Sequence, residues 1–128
     1  MASLDTNCLL RWLLGDIPEQ AARVEALVSS GARPSVDDAA IIEAVFALES
    51  GAKLSRSTIR AFFLTAMAHP LTLNRALWTA VLDTWSDHPK LSVVDVYLAT
   101  KAQLSDDGPL YTFDKKLANQ VVGAALVP

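Results

Sequence analysis

The spacing of apolar and polar positions along this chain predicts short strands alternating with helices. Apolar residues recur at helical spacing in Asn7–Leu14 and again in Arg75–Asp87. Helices are also expected from Asp16 to about Ser29, at Ala39–Glu49, from Ser55 or Ser57 to before Pro70, from Ser92 to about Leu104, and at Lys115–Asn119. Strands are expected at Ser3–Asp5, Arg33–Val36, Leu71–Leu73, Leu110–Phe113 and Ala124–Val127. This order predicts an α/β fold with a short, mainly parallel central sheet and helices on both faces.

Residues that start and stop helices set several of these boundaries. Asp16–Glu19 has the form of a capping box with a proline in the first turn. Asp37 or Asp38 is expected to cap the next helix. Ser92 stands three residues before Asp95, the arrangement in which a capping hydroxyl and a carboxylate bind each other's backbone amide.

Length and composition predict one globular domain over residues 1–128, with no linker or repeat. Hydrophobic residues make up 52% of the chain and charged residues 20%. The net charge of −3 argues against a broad, non-specific surface for nucleic acid. The single cysteine, Cys8, excludes an internal disulfide and fits a reducing cytoplasm. No stretch reaches the roughly 20 apolar residues of a membrane span, and no export signal is recognised.

Four acidic residues are each embedded in a short apolar context. They are Asp5 in Leu4–Asn7, Glu43 in Ile41–Ala44, Asp95 in Val93–Val96, and Asp114 in Thr112–Asp114. Burying a carboxylate is costly unless a cation compensates it, so four such placements suggest a shared divalent metal. Asp5 and Asp114 follow predicted strands, where sites form in open α/β sheets, whereas the other two lie on helices. Carboxylate oxygens are hard ligands that suit Mg²⁺ or Mn²⁺.

Each of these acids also has a purely structural interpretation. Asp5 and Asp114 are each placed to cap the helix that follows, and Asp95 is placed to pair with Ser92. Glu43 alone is more often a solvated helix residue. No Ser/His/Asp or Cys/His arrangement and no glycine-rich phosphate loop offers a different chemistry.

Taken in order, five motifs resemble the PIN-domain family, and within it the VapC-type ribonuclease toxins of prokaryotic toxin–antitoxin pairs. The motifs are Leu4-Asp5-Thr6-Asn7 with Leu9-Leu10-Arg11, Gly15-Asp16-Ile17-Pro18, Ile42-Glu43-Ala44 with Leu48, Val94-Asp95 with Leu98-Ala99, and Thr112-Phe113-Asp114 with Leu117-Ala118. The resemblance covers nearly the whole chain, and all four of the family's acidic positions are filled.

The resemblance implies an Mg²⁺- or Mn²⁺-dependent endoribonuclease that leaves a 5′-phosphate and a 3′-hydroxyl. Its catalytic residues would be Asp5, Glu43, Asp95 and Asp114, with the three aspartates as metal ligands. Thr6, Asn7 and Thr112 are expected to orient the carboxylates, and Arg11, Lys115 and Lys116 to contact RNA or simply to be solvated. Thr112 stands where some relatives carry a further acid. Which carboxylate acts as a base stays open.

The resemblance also implies partners. These are the RNA substrate, a cognate antitoxin and a second copy of the chain, with no role for a membrane. Apolar residues in Leu54–Trp85, among them Phe62, Phe63 and Met67, offer either a groove for an antitoxin helix or ordinary core. Two alternatives remain: a PIN-type nuclease of RNA processing or DNA cleavage without an antitoxin, and a PIN-like interaction module that has lost activity.

Overall fold

The computed structural model describes residues 2–128, which form two compact units, one up to Leu73 and the other Asn74–Pro128. The first unit contains β1 (Ser3–Leu4), α1 (Thr6–Leu14), α2 (Pro18–Ser29), β2 (Ser35–Val36), α3 (Asp38–Phe46) and α4 (Arg56–Met67). The second contains α5 (Arg75–Asp87), α6 (Val93–Leu104), β3 (Leu110–Thr112), α7 (Lys115–Gln120) and β4 (Ala124–Leu126). The described residues therefore combine seven α-helices with short strands, as the alternating pattern predicts. That residues 1–128 are one domain stays a prediction.

The strands are parallel, as expected, but they form two small sheets instead of one central sheet. In the first unit β1 pairs with β2, and in the second β3 pairs with β4. The strand expected at Leu71–Leu73 supplies only an isolated bridge between Thr72 and Ser35. The amide of Leu71 donates instead to the carbonyl of His69 at 2.8 Å, a tight turn that prevents a regular strand.

Two helix ends of the first unit differ from the sequence expectation. The prediction of a capping box at Asp16–Glu19 is wrong. α2 begins at Pro18, and the residue before it, Ile17, has no side chain that could cap the helix. The Asp16 carboxylate instead binds the guanidinium of Arg11 at 2.7 Å. After α3 the chain continues as a π-helix at Ala47–Gly51, where the expected α-helix would have run to Glu49.

Each unit has its own apolar core. In the first unit Val28, Val45, Leu48 and Ile59 are fully buried. In the second unit α5 buries a stripe at helical spacing, consisting of Trp78, Val81, Leu82 and Trp85. The rings of Trp78 and Tyr97 stack with centroids 5.2 Å apart, which packs α5 against α6.

Gly123 marks the tightest backbone approach in the second unit. Its φ of 99° is a conformation that L side chains rarely adopt. A Cβ atom at this position would lie 2.7 Å from the carbonyl oxygen of Ala99 on α6. Only glycine therefore fits where the turn before β4 passes α6.

No helix in the part of the chain that the structure describes is long and apolar enough to cross a membrane.

Candidate active site

Asp5 stands at the junction of β1 and α1 in the first unit. Its backbone is extended, and its Oδ1 accepts a hydrogen bond from the amide of Cys8 at 2.8 Å, so it is the N-cap of α1. The Cys8 amide, and after it the Cys8 thiol, holds the pKa of the Asp5 carboxyl below its ordinary value. Because the side chain is exposed, Asp5 presents an ionised carboxylate to solvent at neutral pH.

The side chain of Glu43 is hydrogen-bonded to Thr6, the residue that follows Asp5. The hydroxyl of Thr6 donates to Glu43 Oε2 at 3.1 Å, a bond between α1 and α3. Thr6 therefore contacts one carboxylate of the candidate set, and its role in orienting a catalytic side chain stays a prediction. The Asn7 side chain is exposed, and within residues 2–128 it makes no hydrogen bond to a carboxylate.

A cavity of about 480 Å³ opens beside Asp5 in the first unit. α1 contributes Asn7, Cys8 and Arg11 to its wall. α2 contributes residues at helical spacing, namely Gln20, Arg23, Val24 and Leu27. Gln20 and Arg23 are not among the site residues predicted from the sequence. Their spacing along one face of α2 was readable, but nothing in the sequence alone sets that face against Asp5.

In the second unit Asp95 occupies the first turn of α6 and is half-buried. Its amide donates to the Ser92 hydroxyl at 3.2 Å, so Ser92 caps the helix as expected. The reciprocal bond is not formed, because within residues 2–128 the Asp95 carboxylate accepts no hydrogen bond. The position of Asp95 is therefore set by its backbone, through the Ser92 cap.

Asp114 is the N-cap of α7. Its Oδ1 accepts hydrogen bonds from the amides of Lys116 at 2.9 Å and Leu117 at 3.3 Å. The Thr112 hydroxyl accepts a bond from the Asp114 amide at 3.0 Å and so fixes the backbone at this position and not the carboxylate. The side chains of Lys115 and Lys116 are exposed at the start of the same helix.

The expectation that these four acids are buried is wrong. Asp5 and Glu43 are exposed, and Asp95 and Asp114 are half-buried. Three of them lie at or next to a helix N-terminus, where backbone amides stabilise negative charge without a cation. Across residues 2–128, no three His, Cys, Asp or Glu side chains are grouped closely enough to hold a metal ion. The donors nevertheless fit Mg²⁺ or Mn²⁺ in kind, since all are carboxylate oxygens.

The family model of the PIN domain matches residues 2–121, a stretch that includes all four acidic positions. The chain belongs to the PIN domain family. PIN domains are generally nucleases and typically use divalent metal ions, so this PIN domain has a nuclease fold. No curated protein and no solved structure matches the chain.

Proposed function

We propose that this PIN domain is an Mg²⁺- or Mn²⁺-dependent endoribonuclease toxin that a cognate antitoxin neutralises in the cytoplasm. The observation that carries the proposal is Asp5, an exposed carboxylate with a lowered pKa, at the edge of a cavity in a chain of a nuclease family. A ligand that is ionised and accessible at neutral pH is what a hard divalent cation requires.

In this proposal Asp5, Asp95 and Asp114 hold the metal, and Glu43 completes the site directly or through water. The sharing of one ion among them rests on family membership and on their hard oxygen donors. A bound divalent ion would lower the pKa of the attacking water and neutralise charge on the phosphate. Thr6 contributes by holding one Glu43 oxygen at 3.1 Å, which limits the rotamers of that side chain.

The proposed reaction adds water across the bond between phosphorus and the 3′-oxygen of RNA. The water oxygen forms the new bond to phosphorus, and the 3′-oxygen leaves and takes up a proton, so the products are a 5′-phosphate and a 3′-hydroxyl. Because the chain carries a net charge of −3, it is expected to bind the RNA phosphates through individual basic side chains near the acids. Arg11, Lys115 and Lys116 are the proposed contacts.

The antitoxin is expected to cover an apolar surface of the first unit. A cavity of about 350 Å³ between α1 and α4 is lined by Trp12, Leu13, Phe62 and His69 among others, and supports docking of an apolar partner segment. Phe63 and Met67 are buried in the core and are not available to a partner, so for them the groove interpretation is wrong. A homodimer remains part of the proposal.

Cleavage of RNA by the purified protein tests the activity. We expect cleavage with Mn²⁺ or Mg²⁺ and none with EDTA. Asp5→Asn and Asp95→Asn should each lower the rate at least about a hundredfold, because each removes one anionic ligand. Asp107→Asn is the matched control, since it makes the same charge change at an exposed turn residue. Equal rates in all three variants would contradict the assignment of the acids.

Induction of the chain in cells tests the toxin role. Growth should stop, the new RNA ends should carry 5′-phosphates, and co-expression of a small protein encoded just upstream should restore growth. Cleavage in vitro without growth arrest would favour an RNA-processing nuclease.

An inactive interaction module is the second candidate, because no three potential metal ligands are grouped within residues 2–128. Isothermal titration calorimetry with Mn²⁺ separates the two. Heat of binding that disappears in Asp5→Asn supports the nuclease, whereas no binding to the wild-type protein supports the module.

A further inference from the structure

The cavity beside Asp5 is lined by several residues that have no role in the proposed metal site. Its polar lining combines two arginines, Arg11 and Arg23, with Asn7, Gln20 and one carboxylate, Asp5, so two positive charges face one negative charge. Its apolar wall includes Val24 and Leu27 of α2. The volume of about 480 Å³ lies within the range of about 300–1,000 Å³ that is typical of small-molecule sites. These features describe a pocket for an anionic ligand that also has an apolar face and hydrogen-bonding edges.

The two arginines differ in their present partners. Arg11 Nη1 lies 2.7 Å from Asp16 Oδ2, a partly exposed ion pair that contributes little to stability. Arg23 is exposed, and within the described part of the chain its guanidinium has neither a hydrogen bond nor an ion pair. An arginine on a cavity wall without a carboxylate partner is positioned to bind a phosphate through two parallel hydrogen bonds.

We propose that this cavity binds one nucleotide of the RNA strand beside the scissile phosphate. Arg23 binds its phosphate, Val24 and Leu27 contact the base or ribose, and the amides of Asn7 and Gln20 hydrogen-bond the base edge. The proposal rests on the proposed nuclease function and names the subsite that positions its substrate. In this proposal Arg23 and Gln20 are substrate-positioning residues.

A nucleotide fits this wall better than an acidic peptide segment does. Either ligand would satisfy the guanidinium, but amides are the side chains that hydrogen-bond both donor and acceptor groups on a base edge. Sequence-specific proteins read single-stranded RNA through such edges together with contacts to the base face.

Binding of a fluorescently labelled 12-nucleotide RNA in EDTA tests the subsite without cleavage. Arg23→Gln should weaken binding about tenfold. It should also reduce the slope of log affinity against log salt by about 0.7, the value for one phosphate contact on a single strand. The matched control is Arg33→Gln, which makes the same exchange at an exposed arginine outside the cavity. Equal losses in the two variants would overturn the proposal, because general charge would then explain the effect.

Cys8 provides a second readout, because it is half-buried on the cavity wall and is the one cysteine of the sequence. AMP, GMP, CMP and UMP at about 10 mM, each tested alone, should slow the alkylation of Cys8 by iodoacetamide at fixed pH. Arg33→Gln should keep this protection, and Arg23→Gln should lose it. Absence of protection by all four nucleotides, or protection that Arg23→Gln retains, contradicts the subsite.

The two sets of experiments separate the subsite from the nuclease assignment. If wild-type protein cleaves RNA, Asp5→Asn is inactive and Arg23→Gln binds RNA normally, the nuclease function stands and the nucleotide subsite is wrong. If the wild-type protein does not cleave RNA but nucleotides still protect Cys8 in an Arg23-dependent way, the nucleotide site stands and the nuclease proposal fails.

Discussion

The two units hold their acidic side chains in different ways. In the first unit Thr6 contacts Glu43 across 37 positions of sequence, and Asp5 borders a cavity built from two helices. In the second unit the side-chain hydrogen bonds at Asp95 and Asp114 reach no further than three residues along the chain. The comparison shows that Glu43 is held by packing between two helices, whereas Asp5, Asp95 and Asp114 are held by how single helices begin.

The largest expected effect is on stability and compares two glycines. Gly15 ends α1 in the first unit, and Gly123 lies against α6 in the second. Gly123→Ala should lower the free energy of unfolding by about 3 kcal/mol, because it adds backbone strain to a contact of 2.7 Å with Ala99 on α6. Gly15 ends α1 at a φ of 61°, but no atom lies within 4 Å of a Cβ built there. Gly15→Ala should therefore cost only about 1 kcal/mol.

Urea denaturation followed by tryptophan fluorescence measures both changes. Equal costs would show that the close approach of Gly123 to α6 carries no energetic weight, and that the two units do not differ in this respect. An unchanged denaturant slope in both variants is needed to compare the free energies directly.

A smaller effect is expected from the two threonines. Thr6→Val removes the hydroxyl that binds Glu43 and should lower the rate of RNA cleavage about tenfold. Thr112→Val removes a bond to the amide of Asp114 and leaves its carboxylate capped by α7, so the rate should change by less than about twofold. Both exchanges are nearly isosteric.

Steady-state rates with a defined RNA substrate provide the comparison. If Thr112→Val is the more damaging exchange, Asp114 requires its threonine more than Glu43 does, and the contrast between long-range and local positioning is reversed. Thr65→Val at an exposed position of α4 controls for the general effect of removing a hydroxyl.

The smallest expected effect is a change in the titration of Cys8. Burial raises the pKa of this thiol most, and the hydrogen bond to Asp5 and its negative charge raise it further. Asp5→Asn removes the negative charge, so the pKa should fall towards its ordinary value without reaching it. More thiolate is then present at a given pH, and alkylation should become faster.

The pH dependence of Cys8 alkylation in EDTA reports this shift, with Asp107→Asn as the control. An unchanged midpoint in Asp5→Asn would show that burial alone sets the thiol pKa. A fall in midpoint in both variants would indicate a general charge effect instead of the local contact.

Most helices were predictable from the sequence because their signals are local. Arg75–Asp87 matches its expected bounds, since its buried stripe has a clear period and Pro89 follows its end. Ser92 and Asp37 cap their helices as expected. The error at Asp16 arose because the motif does not indicate that Arg11, five residues earlier in the chain, binds the carboxylate.

Features that depend on distant residues were not predictable in the same way. The π-helix at Ala47–Gly51 lies in a stretch whose composition also suits an α-helix. The burial premise for the four acids failed because apolar neighbours in sequence lie on other faces of a helix, as Ile41 and Ala44 do beside exposed Glu43. The four acidic positions were chosen from their local sequence context and supported by the family resemblance, whereas the cavity wall from α2 depends on the packing of two helices.

Two of the four acidic positions also serve as helix caps, Asp5 for α1 and Asp114 for α7. Asparagine caps helices about as well as aspartate does. In the genetic code the two amino acids differ by one nucleotide. A single base substitution at either codon therefore removes a negative charge while the helix keeps its cap, so the gene can lose a proposed metal ligand and still encode a folded protein.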